Sequence, residues 1–236
     1  LTNFHKQGFG QISYVQLVAR LLVERGHEVA VACPEGSWLA DRAAAAGLQT
    51  ETQFRFSRGF TPFDFSRDVL EARKMMRKLK PDVIHANGSQ DHWVMTVARN
   101  LFGLPPAIVR TKHNSFPMRT HLSNRLLARR LTHRWIVVCE AVRQDLLAGP
   151  LFKPEDIKTI HNGLEIEIYE PNDGRAERAE FGLTPEDFVI GSLGRLTPAK
   201  GHRYLFEAAA PLMKEPGSNL RVLLVGYGEE QAKLER

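Results

Sequence analysis

Along the first half of the chain, short runs of consecutive apolar residues alternate with longer stretches in which apolar positions recur every three or four residues. The runs include VAVAC at 29–33, DVIHA at 82–86, AIVR at 107–110 and WIVVC at 135–139. Strands buried on both faces read this way, and the period of the intervening stretches is that of helices laid over them. In the stretch 12–25, Val15, Leu17, Val18, Leu21 and Leu22 form an apolar stripe that Gly26 ends. The pattern predicts helices at 12–25, 38–46, 68–79, 91–101 and 123–131. It predicts strands at 28–33, 48–52, 82–86, 107–110 and 134–139. A strand-helix alternation of this length implies a doubly wound α/β domain with a parallel sheet.

Two stretches depart from the pattern. Residues 54–66 hold Phe54, Phe56, Phe60, Phe63 and Phe65 with Arg55 and Arg58, too apolar for a plain connection. They predict a loop that is either a cradle for an apolar ligand or a small satellite core. At the front, only residues 1–4 precede the first glycine turn, so the opening strand is either very short or cut. After a charged stretch punctuated by Pro and Gly at 171–187, the alternation resumes with a strand at 189–193, a helix at 202–213 and a strand at 220–225. The expected organisation is a first domain at 1–170, a linker at 171–187 and the start of a second Rossmann-like domain at 188–236. A domain of that kind needs ~100 residues or more, so the second is expected to be incomplete.

Composition narrows the partners. The 236 residues are 43% hydrophobic and 25% charged, which is ordinary for a folded domain and excludes fibres and disorder. A net charge of +5 and a pI near 9.4 suit an anionic partner: nucleic acid, an acidic membrane surface or phosphorylated small molecules. No apolar run approaches the ~20 residues that span a bilayer, and LTNFHKQGFG has no signal-peptide core. A cytoplasmic chain, at most peripheral at the inner membrane surface, is therefore expected. Cys33 and Cys139 end apolar runs and read as small buried thiols, with neither a disulfide nor a zinc site expected.

The candidate chemistry lies in loops. Gly8-Phe9-Gly10 leads into the first helix, where free backbone N–H groups attract phosphate, although a bare turn would read the same. Position 13 is Ser, so this is not the dinucleotide fingerprint. Gly194-Arg195-Leu196-Thr197-Pro198-Ala199-Lys200-Gly201 sits between a strand and a helix. Arg195 would fork onto diphosphate oxygens and Lys200 act as a point charge, unless both are solvated surface charges. His113 and Asn114 follow a strand at its carboxyl end, where ligands bind in open α/β sheets. His92 and Trp93 open a helix, either lining the site or packing against it. The basic segment NRLLARRLTHR at 124–134 is either a solvated face or a contact for anionic lipid.

Several segments in order carry a family resemblance. GSLGRLTPAKG followed by LRVLLVGYGEE resembles the opening of the C-terminal domain of group-1 glycosyltransferases, the glycosyltransferase family 4 type. GFGQISYVQLVARLLVERGHEVAVACP, KPDVIHAN, VVCEAVRQDLLA and IKTIHNGLEIEIYEP are similar to that family's earlier segments. The resemblance implies a GT-B fold, two Rossmann-like domains facing a cleft. It implies transfer of a sugar from a nucleotide diphosphate sugar to a glycan or lipid-linked acceptor of the cell-envelope type, with retention and without metal or cofactor. Arg195 and Lys200 would be the catalytic cations. Gly8, Gly10, Asn87, Gly194 and Gly226 would lie on the donor side, and His85, His113 and Asn114 on the acceptor side. Three departures from the family pattern stand out. Asn87 replaces the second histidine of its PDVIHxH strand, Glu165 replaces an aspartate, and its E-x7-E segment lies beyond Arg236. Glu207 and Glu215 share that spacing but flank the wrong helix. The chain by itself is therefore expected to be inactive. A non-catalytic nucleotide-sugar or lipid-phosphate module and a sugar-nucleotide epimerase are the alternatives, and a nucleic-acid binder is disfavoured because no aromatic platform accompanies the basic residues.

Overall fold

A computed structural model describes residues 1–3, 9–57, 59, 61–166 and 173–235. The chain divides into two compact units, Leu1–Leu164 and Glu165–Arg236. In the first unit the order is α1 (Phe9–Glu24), β1 (Ala30–Pro34), α2 (Trp38–Ala45), β2 (Gln49–Phe54), α3 (Pro62–Leu79), β3 (Val83–Ala86), α4 (Ser89–Leu101) and β4 (Ala107–Lys112). There follow α5 (Leu122–Leu126), a π-helical turn (Leu127–Leu131), β5 (Arg134–Val137), α6 (Glu140–Leu147) and β6 (Ile157–Thr159). All paired strands are parallel.

The short opening segment is an interior strand of this sheet. Thr2 bridges Ala32 of β1 on one side and Ala86 of β3 on the other. Its neighbours complete the ladder through Ala32 N–H to Leu1 O at 2.8 Å, Asn3 N–H to Ala32 O at 3.0 Å and Thr2 N–H to His85 O at 2.9 Å. The spatial order is thus β2, β1, residues 1–3, β3, β4, β5, β6, with the topological switch beside Thr2. Pleating sends alternate residues to opposite faces. Val31 and Cys33 pack with Ile12, Val15 and Leu39 under α1 and α2, whereas Ala32, Ile84 and Ile108 pack with Val69, Met76 and Met95 under α3 and α4. A third cluster, including Trp135, Leu146 and Phe152, closes the β5–β6 end.

Several expected boundaries move. Phe9 and Gly10 belong to the first turn of α1, because the helix begins three residues before the expected start at 12. Helix α3 starts at Pro62 and takes in Phe63 and Phe65, since Pro fits the first turn and its missing N–H costs nothing there. The helix expected at 123–131 widens into a π turn. Side chains satisfy its carbonyls: Thr132 Oγ1 donates to Leu127 O at 2.8 Å and Trp135 Nε1 to Ala128 O at 3.2 Å. Both cysteines are free thiols, Cys33 buried and Cys139 half-buried.

In the second unit, α7 (Arg175–Glu180) lies within the stretch read as a linker, followed by β7 (Phe188–Leu193), α8 (His202–Met213), β8 (Leu220–Val225) and α9 (Gln231–Leu234). Strands β7 and β8 pair in parallel over six residues each. Among the described residues, no helix is long and apolar enough to cross a membrane.

Candidate functional site

The first unit gathers polar groups at the carboxyl ends of β3 and β4, on both faces of the sheet. On the α1 face, His85 Nε2 lies 2.6 Å from Thr111 Oγ1, and the Tyr14 ring meets His113 edge-on at 4.7 Å. Burial first, with the Arg110 charge adding to it, lowers the His85 pKa to about 3, so its imidazole is neutral at physiological pH. Asn87 is fully buried. Its Nδ2 donates to Thr2 O at 3.2 Å and His85 O at 3.3 Å, and its Oδ1 lies 3.0 Å from His113 Nε2. Next to it, the buried Asp91 carboxylate takes Thr2 Oγ1 at 2.6 Å and the amides of Asn87 and Gly88 at 3.0 and 3.1 Å. Thr2, Asn87 and the start of α4 are thereby locked together at the switch point.

On the α3–α4 face lies a pocket of about 820 Å³. Its walls come from the Phe-rich segment, the start of α4 and the loop after β4, with Phe56, Phe65, Trp93, Phe116 and Met118 supplying apolar surface. Phe56 has φ 42, a left-handed backbone that bulky residues avoid. Asp68 holds it there by accepting the amides of Arg55 at 3.0 Å and Phe56 at 2.7 Å. Phe54 and Phe56 stack in the core at 4.8 Å, as the core reading of residues 54–66 expects, and Phe56 and Phe65 also line the pocket. Arg110 and Lys112 line it from β4, two residues apart and so on one face of the strand. The Lys112 ammonium donates to Asn114 O, Asn114 Oδ1 and Phe116 O at 2.7, 2.9 and 2.6 Å, which fixes the loop.

His92 borders the pocket but is structural. Because Thr132 gives its hydroxyl proton to Leu127 O, it must accept from His92, whose Nε2 lies 2.8 Å away and therefore carries the proton. Burial holds its pKa well below the usual histidine value.

In the second unit, Gly194–Gly201 leaves the carboxyl end of β7 and enters α8. Arg195 and Lys200 are exposed, and among the described residues neither side chain is held in an ion pair. Lys200 folds back over the loop, its Cε 3.9 Å from where a Gly194 β-carbon would stand. The loops after β7 and β8 extend the ladder, with Gly194 N–H to Val225 O and Leu196 N–H to Tyr227 O, both at 2.9 Å. This approach explains Gly226 and Gly228 by packing, since a β-carbon would fall 1.8 Å from Gly194 O or 2.2 Å from Leu196 O.

Of the residues singled out from the sequence, His85, Asn87 and His113 form one cluster on the α1 face. Asn114 lines the pocket on the other face. Arg195, Lys200, Gly194 and Gly226 share the β7–β8 loops. Gly10 sits exposed in the first turn of α1 with nothing within 4 Å of a β-carbon position, and Gly8 lies outside the described residues. Arg110, Lys112, Gln90 and Arg119 were not anticipated as pocket residues. The i, i+2 cations inside an apolar strand were the available signal.

Comparison with known proteins agrees with this layout. Residues 10–168 match the model of Glycosyltransferase Family 4, and residues 173–236 match Glycosyl transferases group 1. The D-inositol 3-phosphate glycosyltransferase of Rhodococcus opacus is 40% identical over 74 residues, 31% of this chain and 17% of that protein. The UDP-Gal:alpha-D-GlcNAc-diphosphoundecaprenol alpha-1,3-galactosyltransferase of Escherichia coli is 27% identical over 176 residues, 69% of this chain and 45% of that protein. Anabaena Alr3699/HepE, solved with UDP and glucose, superposes with a TM-score of 0.76 at 20% identity, over 99% of this chain and 62% of that one. The chain therefore spans less than half the length of these curated relatives, and its fold is that of the GT-B proteins.

Proposed function

The chain belongs to Glycosyltransferase Family 4, and on that premise we propose that it moves a sugar from a nucleotide diphosphate sugar to an acceptor. The observation that carries the proposal is the β7–α8 loop, which offers the exposed cations Arg195 and Lys200 at the carboxyl end of a parallel strand. In such a transfer the leaving group is a nucleoside diphosphate, and the charge growing on it is what a catalyst must stabilise. An arginine fork and a lysine point charge supply that stabilisation without a metal. UDP in the Anabaena complex and UDP-Gal in the name of the E. coli relative support a uridine nucleotide as donor. Retention at the anomeric carbon, and donor contacts by Gly8, Gly10, Gly194, Asn87 and Gly226, complete the reading. The first unit is the acceptor side, with His85, His113 and Asn114 near the acceptor. A glycan or lipid-linked acceptor of the cell envelope fits the diphosphoundecaprenol named in the E. coli relative. Leu122 and Leu126, 82% and 45% exposed beside Arg125 and Arg130, support peripheral contact with anionic lipid.

Calorimetric titration of UDP into the 236-residue chain tests the assignment. Arg195→Ala and Lys200→Ala should each weaken binding by about 1.5–3 kcal/mol, the worth of a hydrogen bond to a charged group. Arg195→Lys should fall between, because it keeps the charge and loses the fork. Chelator should leave the wild-type isotherm unchanged. Wild-type UDP affinity in both alanine variants would remove Arg195 and Lys200 from the site, and the transferase reading with them.

A further inference from the structure

Arg110 is buried and under-used. It is 7% exposed, and its one hydrogen bond among the described residues runs from Nη1 to Ala86 O at 3.3 Å. A guanidinium carries five N–H donors, so most of them remain unspent on the protein. Two acids of this region, Asp91 and Asp68, spend most of their hydrogen bonds on backbone amides, although Asp91 Oδ1 is left without a partner among the described residues. Asp91 Oδ2 takes Thr2, Asn87 and Gly88, and Asp68 takes the Arg55 and Phe56 amides. Neither comes within ion-pair distance of Arg110. Lys112 adds a second positive charge beside it, yet its ammonium is bound to the carbonyls of Asn114 and Phe116 and to Asn114 Oδ1 and has no N–H left to offer. Burial drives the Arg110 pKa down to about 10 and that of Lys112 to about 8, and the charges of Asp91 and Asp145 offset this only in part.

Buried charge is normally paired, and here the open side of the guanidinium is the pocket. We propose that this pocket binds its ligand through a phosphate group on Arg110, with an apolar portion of the ligand against Phe56, Phe65, Trp93 and Phe116. The proposal deepens the reading of the first unit as the acceptor side by naming the acceptor as a phosphorylated one. Phosphate oxygens match the guanidinium fork and neutralise its charge, which a neutral hydroxyl cannot do. The aromatic walls and the volume of about 820 Å³ leave room for more than the anion. The phosphate could belong to a membrane lipid or to a soluble sugar phosphate, and the two share this chemistry.

Calorimetry on the whole chain with octyl phosphate below its micellar concentration, 1-octanol and glucose 6-phosphate decides the matter. The wild type should bind octyl phosphate at least about tenfold more tightly than octanol, as a charge-assisted contact implies. Arg110→Gln should erase that preference while leaving octanol binding within about twofold, and Arg110→Lys should keep part of it. Glucose 6-phosphate binding as tightly as octyl phosphate assigns the soluble source, and much weaker binding assigns the lipid. The proposal falls if the wild type shows no preference for octyl phosphate over octanol, or if Arg110→Gln keeps it. Should Arg110→Gln lose its cooperative melting transition, competition on the wild type decides: inorganic phosphate that fails to displace octyl phosphate overturns the proposal. UDP titration of the same samples separates the two readings. Arg110→Gln should bind UDP as the wild type does, so a pocket result that fails by itself leaves the transferase reading standing.

Discussion

Replacing Gly226 by Ala should open the β7–β8 loops. The new methyl would stand 1.8 Å from Gly194 O and 2.9 Å from its carbonyl carbon, all of it backbone that no rotamer change can move aside. Ordinary non-bonded contact needs about 3.5 Å, so the loops must part by roughly 1.7 Å. Three hydrogen bonds cross this seam: Gly194 N–H to Val225 O and Leu196 N–H to Tyr227 O at 2.9 Å, and Glu230 N–H to Leu196 O at 3.0 Å. A displacement of that size carries them beyond hydrogen-bonding range. At about 1 kcal/mol net each, their loss costs about 2–3 kcal/mol of local stability. All three tryptophans, at 38, 93 and 135, lie in the first unit, so fluorescence would miss the change. Hydrogen exchange on peptides covering 188–196 and 220–230 reads it directly, and 2 kcal/mol corresponds to exchange faster by about thirtyfold. Gly191→Ala is the matched control. It sits in β7 with nothing within 4 Å of its β-carbon position, so it should be neutral or stabilising by up to about 1 kcal/mol. Exchange in Gly226→Ala within twofold of the wild type would refute the steric argument.

Acid should destabilise the first unit through His85 and His92. Both have folded-state pKa values depressed by burial, His85 to about 3, so the unfolded chain binds more protons below 6.5. Stability should be fully present above pH 6.5 and fall as the pH drops toward 3, and a midpoint of urea unfolding that is flat over this window would contradict it. Lys112, depressed from 10.5 to about 8, works the same way at higher pH: stability should rise between about pH 8 and 10.5, and Lys112→Met should flatten that rise. Trp135→Ala removes a side chain that is 2% exposed, packs edge-on to His92 and Phe152, and caps Ala128 O; about 3–5 kcal/mol should be lost in chemical denaturation. Gly10→Ala in the first turn of α1 should raise stability by up to about 1 kcal/mol, since nothing obstructs the methyl. If a phosphate approaches that turn closely, the same change should weaken UDP binding, and unchanged affinity would exclude Gly10 from the donor contacts.

The local pattern along the chain was enough for what depends on neighbours in sequence. Helix α8 and strand β8 fall where the 3.6-residue and continuous apolar periods place them, and the Gly194–Gly201 loop lies between strand and helix as its punctuation requires. The alternation of elements likewise declares a parallel α/β sheet. What the tertiary structure decided is what depends on distant partners. The sequence leaves only a very short or cut opening strand before the glycine turn, and Thr2 takes an interior place in the sheet because β1 and β3 offer residues 1–3 backbone partners on both sides. The π turn before β5 is stable because Thr132 and Trp135, further along the chain, take its carbonyls. In the sequence Arg110 and Lys112 are two cations near the end of an apolar run, with nothing to say which face they occupy. Only the pairing of β4 with β3 and β5, and the packing of α3 and α4 on one side, turn that face inward and make it a pocket floor. Strand pleating fixes that the two cations share a face, but burial is set by what covers it, and that is a property of the folded chain.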